Sequence, residues 1–383
     1  MSRQRQRKRK MPAIQKVLIV LIMIVSALLA VLVHYGITSR FDNTERRQDS
    51  ATQAEPPETP KPTPRPREDV LTGVEHYNPL TGLPMDLGLT KLRPIAIVLN
   101  NLNQALPING ISDADIVYEY PVEGGLTRML AFFQDTHDVE KIGSIRSARH
   151  YTVQFADSYD AILVAAGRSP KAQEEVRALR LPFLNEVEGP HREVFFRDRN
   201  RVPGKRFEHL HSVITTGERL DEWLPTYNFR LVHEEDYKHT LHFIEDGTPE
   251  IGYNANEITV KFSGAKTTTF TYDRDLKVYH SKQANVDLVD GNDNSRPGFS
   301  NILILKMPVT PLRGDTSGRL DIETTGKGEG YFISGGKYIE ISWMRADKSF
   351  PFIYTLKDGT GFDLSIGKTY ICILPTNIEP VIN

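Results

Sequence analysis

Residues 94–101 read Pro-Ile-Ala-Ile-Val-Leu-Asn-Asn, and this stretch decides the class of fold. Five apolar residues in succession, bounded by proline and asparagine, are typical of a short strand that is buried on both faces. Residues 116–120 read as a second short strand, and residues 129–133 and 161–166 are apolar runs bounded by polar residues or glycine. We therefore predict four buried strands in the first half of the chain.

Helices are predicted at residues 148–156 and 170–179, between and after these strands. Ser147 stands where an N-cap residue belongs, and Ser169-Pro170 places a capping hydroxyl directly before a proline at the first helical position. Strands that alternate with helices predict an α/β (α+β) domain, which we assign to residues 76–222.

A second domain, residues 250–376, is predicted to be mostly β. Polar and apolar residues alternate in residues 258–262, 269–272 and 277–280, which is typical of half-buried strands, and residues 301–306 read as a buried strand. Asp-Gly pairs punctuate this part of the chain as turns.

The N-terminus predicts a membrane anchor. Residues 1–16 carry seven basic residues and no acidic one, and residues 17–33 are uncharged and apolar. As a helix, this run would span roughly 25 Å, so flanking residues would complete the crossing of the hydrocarbon core. We expect a basic cytoplasmic tail at 1–16, a single-pass transmembrane signal anchor at 17–35, and an extracytoplasmic remainder at the cell membrane. The alternative is a cleaved secretory signal, but the residues that follow the run are bulky.

Residues 36–70 are predicted to form a linker rich in proline. They offer almost nothing apolar to bury, so they should hold the globular part away from the membrane surface.

Charge narrows the classes of partner. Since residues 1–16 contribute +7 to a net charge of −2, the remainder carries −9, which is unsuited to nucleic-acid binding. The basic tail suits anionic lipid instead. The single cysteine, Cys372, excludes an intramolecular disulfide and is expected in a buried strand.

Ordered motifs extend through residues 76–376. They include Asn78-Pro-Leu-Thr-Gly82, Ser112-Asp-Ala-Asp-Ile-Val-Tyr-Glu119, Glu123-Gly-Gly-Leu-Thr-Arg128, Gly143-Ser-Ile-Arg-Ser-Ala-Arg149 and Gly335-Gly-Lys-Tyr-Ile-Glu-Ile-Ser-Trp343. Together they resemble the YerB-like family of bacterial envelope proteins, whose N- and C-terminal domains have no established activity. The resemblance implies an envelope protein and leaves its function open. It also implies a lipid-attachment cysteine, whereas this chain has the apolar run instead.

A cluster of arginines is the most suggestive functional feature. Arg146 and Arg149 bracket a predicted helix start, where the helix dipole favours an anion, and guanidinium groups suit bidentate contacts with carboxylate or phosphate. We predict a binding site for an anionic wall polymer or its precursor, formed by Glu123, Arg128, Arg146, Ser147, Arg149 and Ser169. The alternative is that these arginines form structural ion pairs with nearby carboxylates.

Two other classes of function stay open. A hydrolase or transferase acting on envelope glycans or their phosphate links could use Glu123 with Asp115, because glycan chemistry often needs two carboxylates. A protein-interaction scaffold is the third possibility, with partners that the sequence does not identify. His209 and His211 lack a recognisable third ligand, so we expect neither a metal site nor a cofactor.

Overall fold

A computed structural model describes residues 76–383, and the predicted tail, anchor and linker lie outside these residues. Among the described residues, no helix is both long and apolar enough to cross a membrane. These residues form a two-domain architecture that is mostly β with some helices.

The first half of the described chain combines strands with short helices. The α-helices are α1 (Leu87–Thr90), α2 (His150–Asp157), α3 (Pro170–Leu179) and α4 (Gly217–Trp223), and 3-10 turns lie at Asn103–Ala105, Glu123–Gly125, Arg192–Val194, His209–His211 and Leu224–Thr226. The strands of this half are β1 (Ile95–Asn100), β2 (Ile116–Pro121), β3 (Thr127–Phe133), β4 (Ile142–Gly143), β5 (Ile162–Ala165), β6 (Phe183–Asn185), β7 (Phe196–Arg197) and β8 (Val213–Thr215).

The second half contributes strands alone. They are β9 (Phe243–Ile244), β10 (Tyr253–Asn254), β11 (Glu257–Lys261), β12 (Thr267–Asp273), β13 (Val278–Gln283), β14 (Val286–Asp287), β15 (Asn301–Met307), β16 (Val309–Pro311), β17 (Leu320–Ile322), β18 (Gly326–Ser334), β19 (Lys337–Arg345), β20 (Ile353–Leu356), β21 (Leu364–Ser365), β22 (Thr369–Pro375) and β23 (Val381–Ile382). The mostly β character predicted for this half is confirmed, and Cys372 is buried in β22 as expected.

One large sheet passes through both halves. Its order is β10-β19-β18-β15-β22-β2-β3-β1-β5-β6, with β20 added beside β19. Strand β2 pairs in parallel with β22, so the two halves join through backbone hydrogen bonds. On the other side of β1, strands β5 and β6 run parallel to it.

The large sheet lies between two hydrophobic cores, one packed against each of its faces. Ile97 and Val117 point into one core, which a five-stranded sheet (order β14-β13-β12-β11-β23) closes with Val260 and Phe270. The neighbouring residues Val98 and Tyr118 point the other way, toward helices α2 and α3. All six residues of β1 are buried, which confirms the two-sided burial predicted for it.

The predicted start is confirmed for one of the two helices and is wrong for the other. Helix α3 begins at Pro170, and the hydroxyl of Ser169 accepts the backbone N–H of Ala172 at 3.2 Å, as expected. Helix α2 begins at His150 and its N-cap is Arg149, so the prediction of Ser147 as N-cap is wrong. The Ser147 hydroxyl instead donates to the carbonyl of Ala166 at 2.8 Å.

Candidate functional site

The predicted site residues meet at the carboxyl ends of the parallel strands β1, β5 and β6, where open α/β sheets commonly bind ligands. The segment 144–149 enters between β1 and β5. The backbone N–H of Arg146 donates to Val98 at 2.8 Å, and the N–H of Ala166 donates to Arg146 at 3.0 Å. These bonds fix the backbone of Arg146 at the middle of this edge, which we call the carboxyl edge.

The hairpin between β2 and β3 brings two further residues to the carboxyl edge. Arg128 lies opposite Asn100 in the ladder between β3 and β1. Gly124 and Gly125 have φ values of +72° and +70°, which side chains other than glycine rarely adopt, and this turn places Glu123 beside the arginines. Nε of Arg149 donates to Glu123 at 3.1 Å, its Nη2 donates to the same carboxylate, and Nη2 of Arg128 lies 3.5 Å from it.

The site holds an excess of positive charge, because Arg128 and Arg149 share the carboxylate of Glu123 and Arg146 lies beside them. Burial alone would raise the pKa of Glu123, but the hydrogen bonds and charge of Arg149 outweigh it and leave that pKa below its ordinary value. Burial and the charge of Arg149 lower the pKa of Arg128 to about 10. The same two causes lower the pKa of Arg146. The shifts in Arg128 and Arg146 reflect cations that the fold places close together without full compensation.

The arginines of the predicted pair have different partners. The Arg149 side chain is only 7 % exposed and is paired with Glu123, so the structural interpretation holds for it. Arg146 is half-buried, and within residues 76–383 its guanidinium forms no ion pair. Its Nη1 donates to the carbonyl of Leu210 at 3.2 Å, which leaves most of its donors unassigned.

Both predicted serines have structural partners. Ser169 caps α3, and Ser147 bonds to Ala166, so each hydroxyl is engaged within the fold. Arg128 also has a structural contact, because its Nη1 donates to the carbonyl of Ser147 at 2.5 Å. The cluster is therefore well anchored, and Arg146 is its most available member.

Two donors that sequence reasoning did not assign to the site also lie at this edge. In the described part of the chain, Nε of Arg168 and Nδ2 of Asn185 are buried without a hydrogen-bond partner. The side-chain Oδ1 of Asn185 accepts the backbone N–H of Gly167 at 2.8 Å, which holds the ends of β5 and β6 together. The motif Gly167-Arg168-Ser169 was a signal for Arg168, whereas Asn185 ends an ordinary apolar run and gave none.

His211 is a third neighbour of the arginines. Its Nδ1 lies 2.9 Å from the amide nitrogen of Asn100, at the end of β1. Burial, and then the charge of Arg146, lower the pKa of His211, which favours the neutral ring at pH 7. Residues 76–383 contain no cluster of three side chains suited to a metal ion.

The carboxylates proposed for glycan chemistry are separated by the fold. Asp115 precedes β2 and Glu123 follows it, so six strand residues put them about 20 Å apart. Glycosidase carboxylates are about 5 to 9.5 Å apart, so the pairing of Glu123 with Asp115 is wrong. Asp115 instead accepts the N–H of Gln134 at 2.7 Å and the amide of Asn78 at 2.9 Å, and burial raises its pKa to about 6.

Glu119, between them in sequence, is fully buried and joins the two halves of the molecule. Its Oε2 accepts the hydroxyls of Tyr370 at 2.6 Å and Thr268 at 2.8 Å, both from the second half. Its Oε1 accepts Thr127 at 2.7 Å and Asn101 at 2.8 Å. A carboxylate with so many donors is stabilised in place, so Glu119 has a structural role.

Comparison with known proteins fits this architecture. A family model described as the N-terminal domain of a protein of unknown function, DUF3048, matches residues 80–230, and the model for its C-terminal domain matches residues 258–371. The chain belongs to the DUF3048 family. The Bacillus subtilis (strain 168) protein named "Putative lipoprotein YerB" is 28 % identical over 304 residues, which span 78 % of this chain and 86 % of that protein.

A crystal structure of YerB from Bacillus subtilis has the same fold. It is 27 % identical, covers 81 % of this chain and 100 % of its own, and superposes with a TM-score of 0.69. The similarity to the YerB-like family predicted from the motifs is therefore confirmed, and the family's descriptions name no activity.

Proposed function

We propose that this protein is a membrane-associated, extracytoplasmic binding protein that holds an anionic envelope ligand at the carboxyl edge. Its location is supported by the basic tail and apolar run at the N-terminus, and by the word lipoprotein in the name of the Bacillus subtilis relative. Residues 17–35 would serve as a single-pass anchor, with the N-terminus in the cytoplasm.

The observation that carries the binding proposal is the placement of Arg146 at the carboxyl edge, where, in the described part of the chain, its guanidinium has one hydrogen bond, to the carbonyl of Leu210. This guanidinium is half-buried, has no carboxylate partner within residues 76–383, and has its pKa lowered by burial and by the nearby charge of Arg149. A phosphate or carboxylate group would compensate it through charge-assisted hydrogen bonds. Nδ2 of Asn185 and Nε of Arg168, whose Nη2 is paired with Glu188 at 2.6 Å, are further donors at the same edge that this class of ligand could use.

The ligand's chemistry follows from these donors. Guanidinium groups bind phosphate and carboxylate oxygens in a bidentate fashion, so a phosphodiester or uronic-acid polymer of the wall, or its precursor, suits the edge. The net charge of −9 outside the N-terminal tail argues that binding depends on this local cluster and not on the surface as a whole.

A binding titration of the full-length protein in detergent would test the proposal. Poly(glycerol phosphate) and polygalacturonate are the two anionic probes, and dextran is the neutral one. We expect Arg146→Gln to weaken binding of at least one anionic polymer tenfold or more, since a charge-assisted contact contributes about 1.5–3 kcal/mol. Arg313→Gln is the matched control, because Arg313 is an exposed arginine in the turn between β16 and β17.

The outcomes separate the candidate functions. Equal affinity of wild type and Arg146→Gln would exclude the carboxyl edge as the site. Binding of no polymer, together with capture of one defined protein partner, would favour the scaffold. Turnover of purified wall material would favour the hydrolase or transferase, for which the separation of Asp115 and Glu123 offers no carboxylate pair.

A further inference from the structure

A second cleft lies at the opposite end of the parallel strands. Its walls come from the residues that precede β1, β5 and β6 and from the end of α2, and it encloses about 440 Å³. This volume is in the range of sites for small molecules. The cleft's charged lining residues are Arg93, Asp157, Asp160, Arg180 and Arg230.

Most of the charge in this amino-end cleft is internally paired. Asp160 lies 3.0 Å from Nη2 of Arg93, 2.7 Å from Nη2 of Arg230 and 2.9 Å from Nδ1 of His233. Arg93 also donates to the carbonyls of Asp160 and Arg230. These four side chains form a closed structural network and leave few donors for a ligand.

Asp157 is the exception. Its carboxylate accepts no hydrogen bond and forms no ion pair within the described residues, although it lines the cleft. It is the last residue of α2, where the helix dipole disfavours a negative charge. Burial raises its pKa to about 6. The charge of Arg345 opposes this shift, and the charge of Asp160 adds to it. Within residues 76–383 the Asp157 carboxylate therefore keeps its acceptor oxygens available at the cleft for a cationic group.

The other residues that line the cleft indicate which groups a ligand would carry besides the cation. Leu179, Leu181, Pro182 and Phe229 contribute the apolar part of the lining. Arg180 and Asn228 are exposed at the cleft and form no side-chain hydrogen bond within residues 76–383, so they can donate to a carbonyl oxygen. One cationic group, one carbonyl and one apolar side chain are the features of a peptide's first residue.

We propose that the amino-end cleft binds the free amino terminus of a short peptide, with its ammonium group on the carboxylate of Asp157. The first side chain packs on the apolar part of the lining, and the first carbonyl accepts a hydrogen bond from Arg180 or Asn228. This site is separate from the carboxyl edge, because the full length of the parallel strands lies between them.

The pH dependence of binding depends on all the charges around Asp157. Those that act on it are Arg345, Asp160, Arg93 and Glu175, and Arg180 and Arg230 also line the cleft. The arginines stay charged across the working range. The titration of Asp157 therefore sets the acidic limit of binding, and the α-amino group of the ligand, with a pKa of about 8, sets the alkaline limit.

Titration of the full-length protein with L-leucinamide tests the inference, because this compound carries the ammonium, the carbonyl and the apolar side chain. N-acetyl-L-leucinamide is the matched compound that lacks the charge. We expect saturable binding of L-leucinamide at pH 7, at least tenfold weaker binding of the acetylated compound, and a loss of affinity on acidification through pH 6.

Asp157→Asn should reduce L-leucinamide affinity at least tenfold, while Asp275→Asn, an exposed aspartate in the second half, should leave it unchanged. A thermal melt of each variant shows whether it folds. Undiminished binding by a folded Asp157→Asn variant, equal binding of the acetylated compound, or no saturable binding to the wild type would each overturn the inference. The pH dependence of the wild type tests the inference even where the variant fails to fold, since affinity that stays constant through pH 6 would also overturn it.

Discussion

Arg149 donates through Nε to Glu123 at 3.1 Å across 26 positions of sequence, whereas Arg146, three residues earlier, has no carboxylate partner in residues 76–383. The two arginines looked equivalent in the sequence. The fold gives one of them a structural ion pair and leaves the other as the group most available to a ligand.

Substitution of Arg149 should lower the free energy of unfolding more than substitution of Arg146. Arg149→Gln would leave Glu123 without its main partner. We expect a loss on the order of 2 kcal/mol, below the 3–5 kcal/mol of a fully buried pair because Glu123 is partly exposed. Among the described residues, Arg146→Gln removes one hydrogen bond, to the carbonyl of Leu210, and no ion pair, so it should cost about 1 kcal/mol or less. Denaturant melts of both variants measure this, and equal losses would contradict the division of roles.

Glu123→Gln discriminates binding from catalysis. The carboxylate competes with an incoming anion for Arg128 and Arg149, so its removal should leave anion affinity unchanged or increase it. An enzyme that used Glu123 as an acid or base would lose turnover of wall material in the same variant. Polymer titrations with this variant therefore test the binding account, and a tenfold loss of affinity would count against it.

The two halves should unfold together, because Glu119 in the first half accepts hydrogen bonds from the hydroxyl groups of Tyr370 and Thr268 in the second half. Tyr370→Phe removes one of these donors to a buried charge and should cost about 1.5–3 kcal/mol. A double-mutant cycle of Tyr370→Phe with Glu119→Gln should give a coupling energy of at least about 0.5 kcal/mol. Two separate melting transitions in the wild type would contradict the single cooperative unit.

Asp157 should make the wild type less stable as the pH rises from about 4 to 6. In this window the unfolded chain has released the Asp157 proton while the folded protein, with its pKa raised to about 6, retains it. The folded state then binds more protons, so its stability falls with increasing pH. The melting temperature of Asp157→Asn relative to wild type should rise across this window and level off above pH 6. A constant difference would show that Asp157 does not titrate in this range.

Local features were predictable from the sequence, and pairings across space were not. The start of α3 was predictable because Ser169 caps a helix that begins at the next residue, Pro170. The burial of β1 was predictable because the run of residues 95–99 is apolar at every position, so both of its faces must be buried. Ser147 is not the N-cap, because its hydroxyl donates to the carbonyl of Ala166, the residue after β5, and this contact depends on the sheet. The separation of Asp115 from Glu123 likewise follows from the extended course of β2.

The availability of Arg146 is the central claim, and crystals of the protein soaked in glycerol 3-phosphate would test it most directly. The account predicts electron density for the phosphate group within hydrogen-bond distance of the Arg146 guanidinium, at the carboxyl ends of β1 and β5. Density that lies only elsewhere on the molecule, or an Arg146 side chain that contacts protein groups alone at saturating ligand, would contradict it.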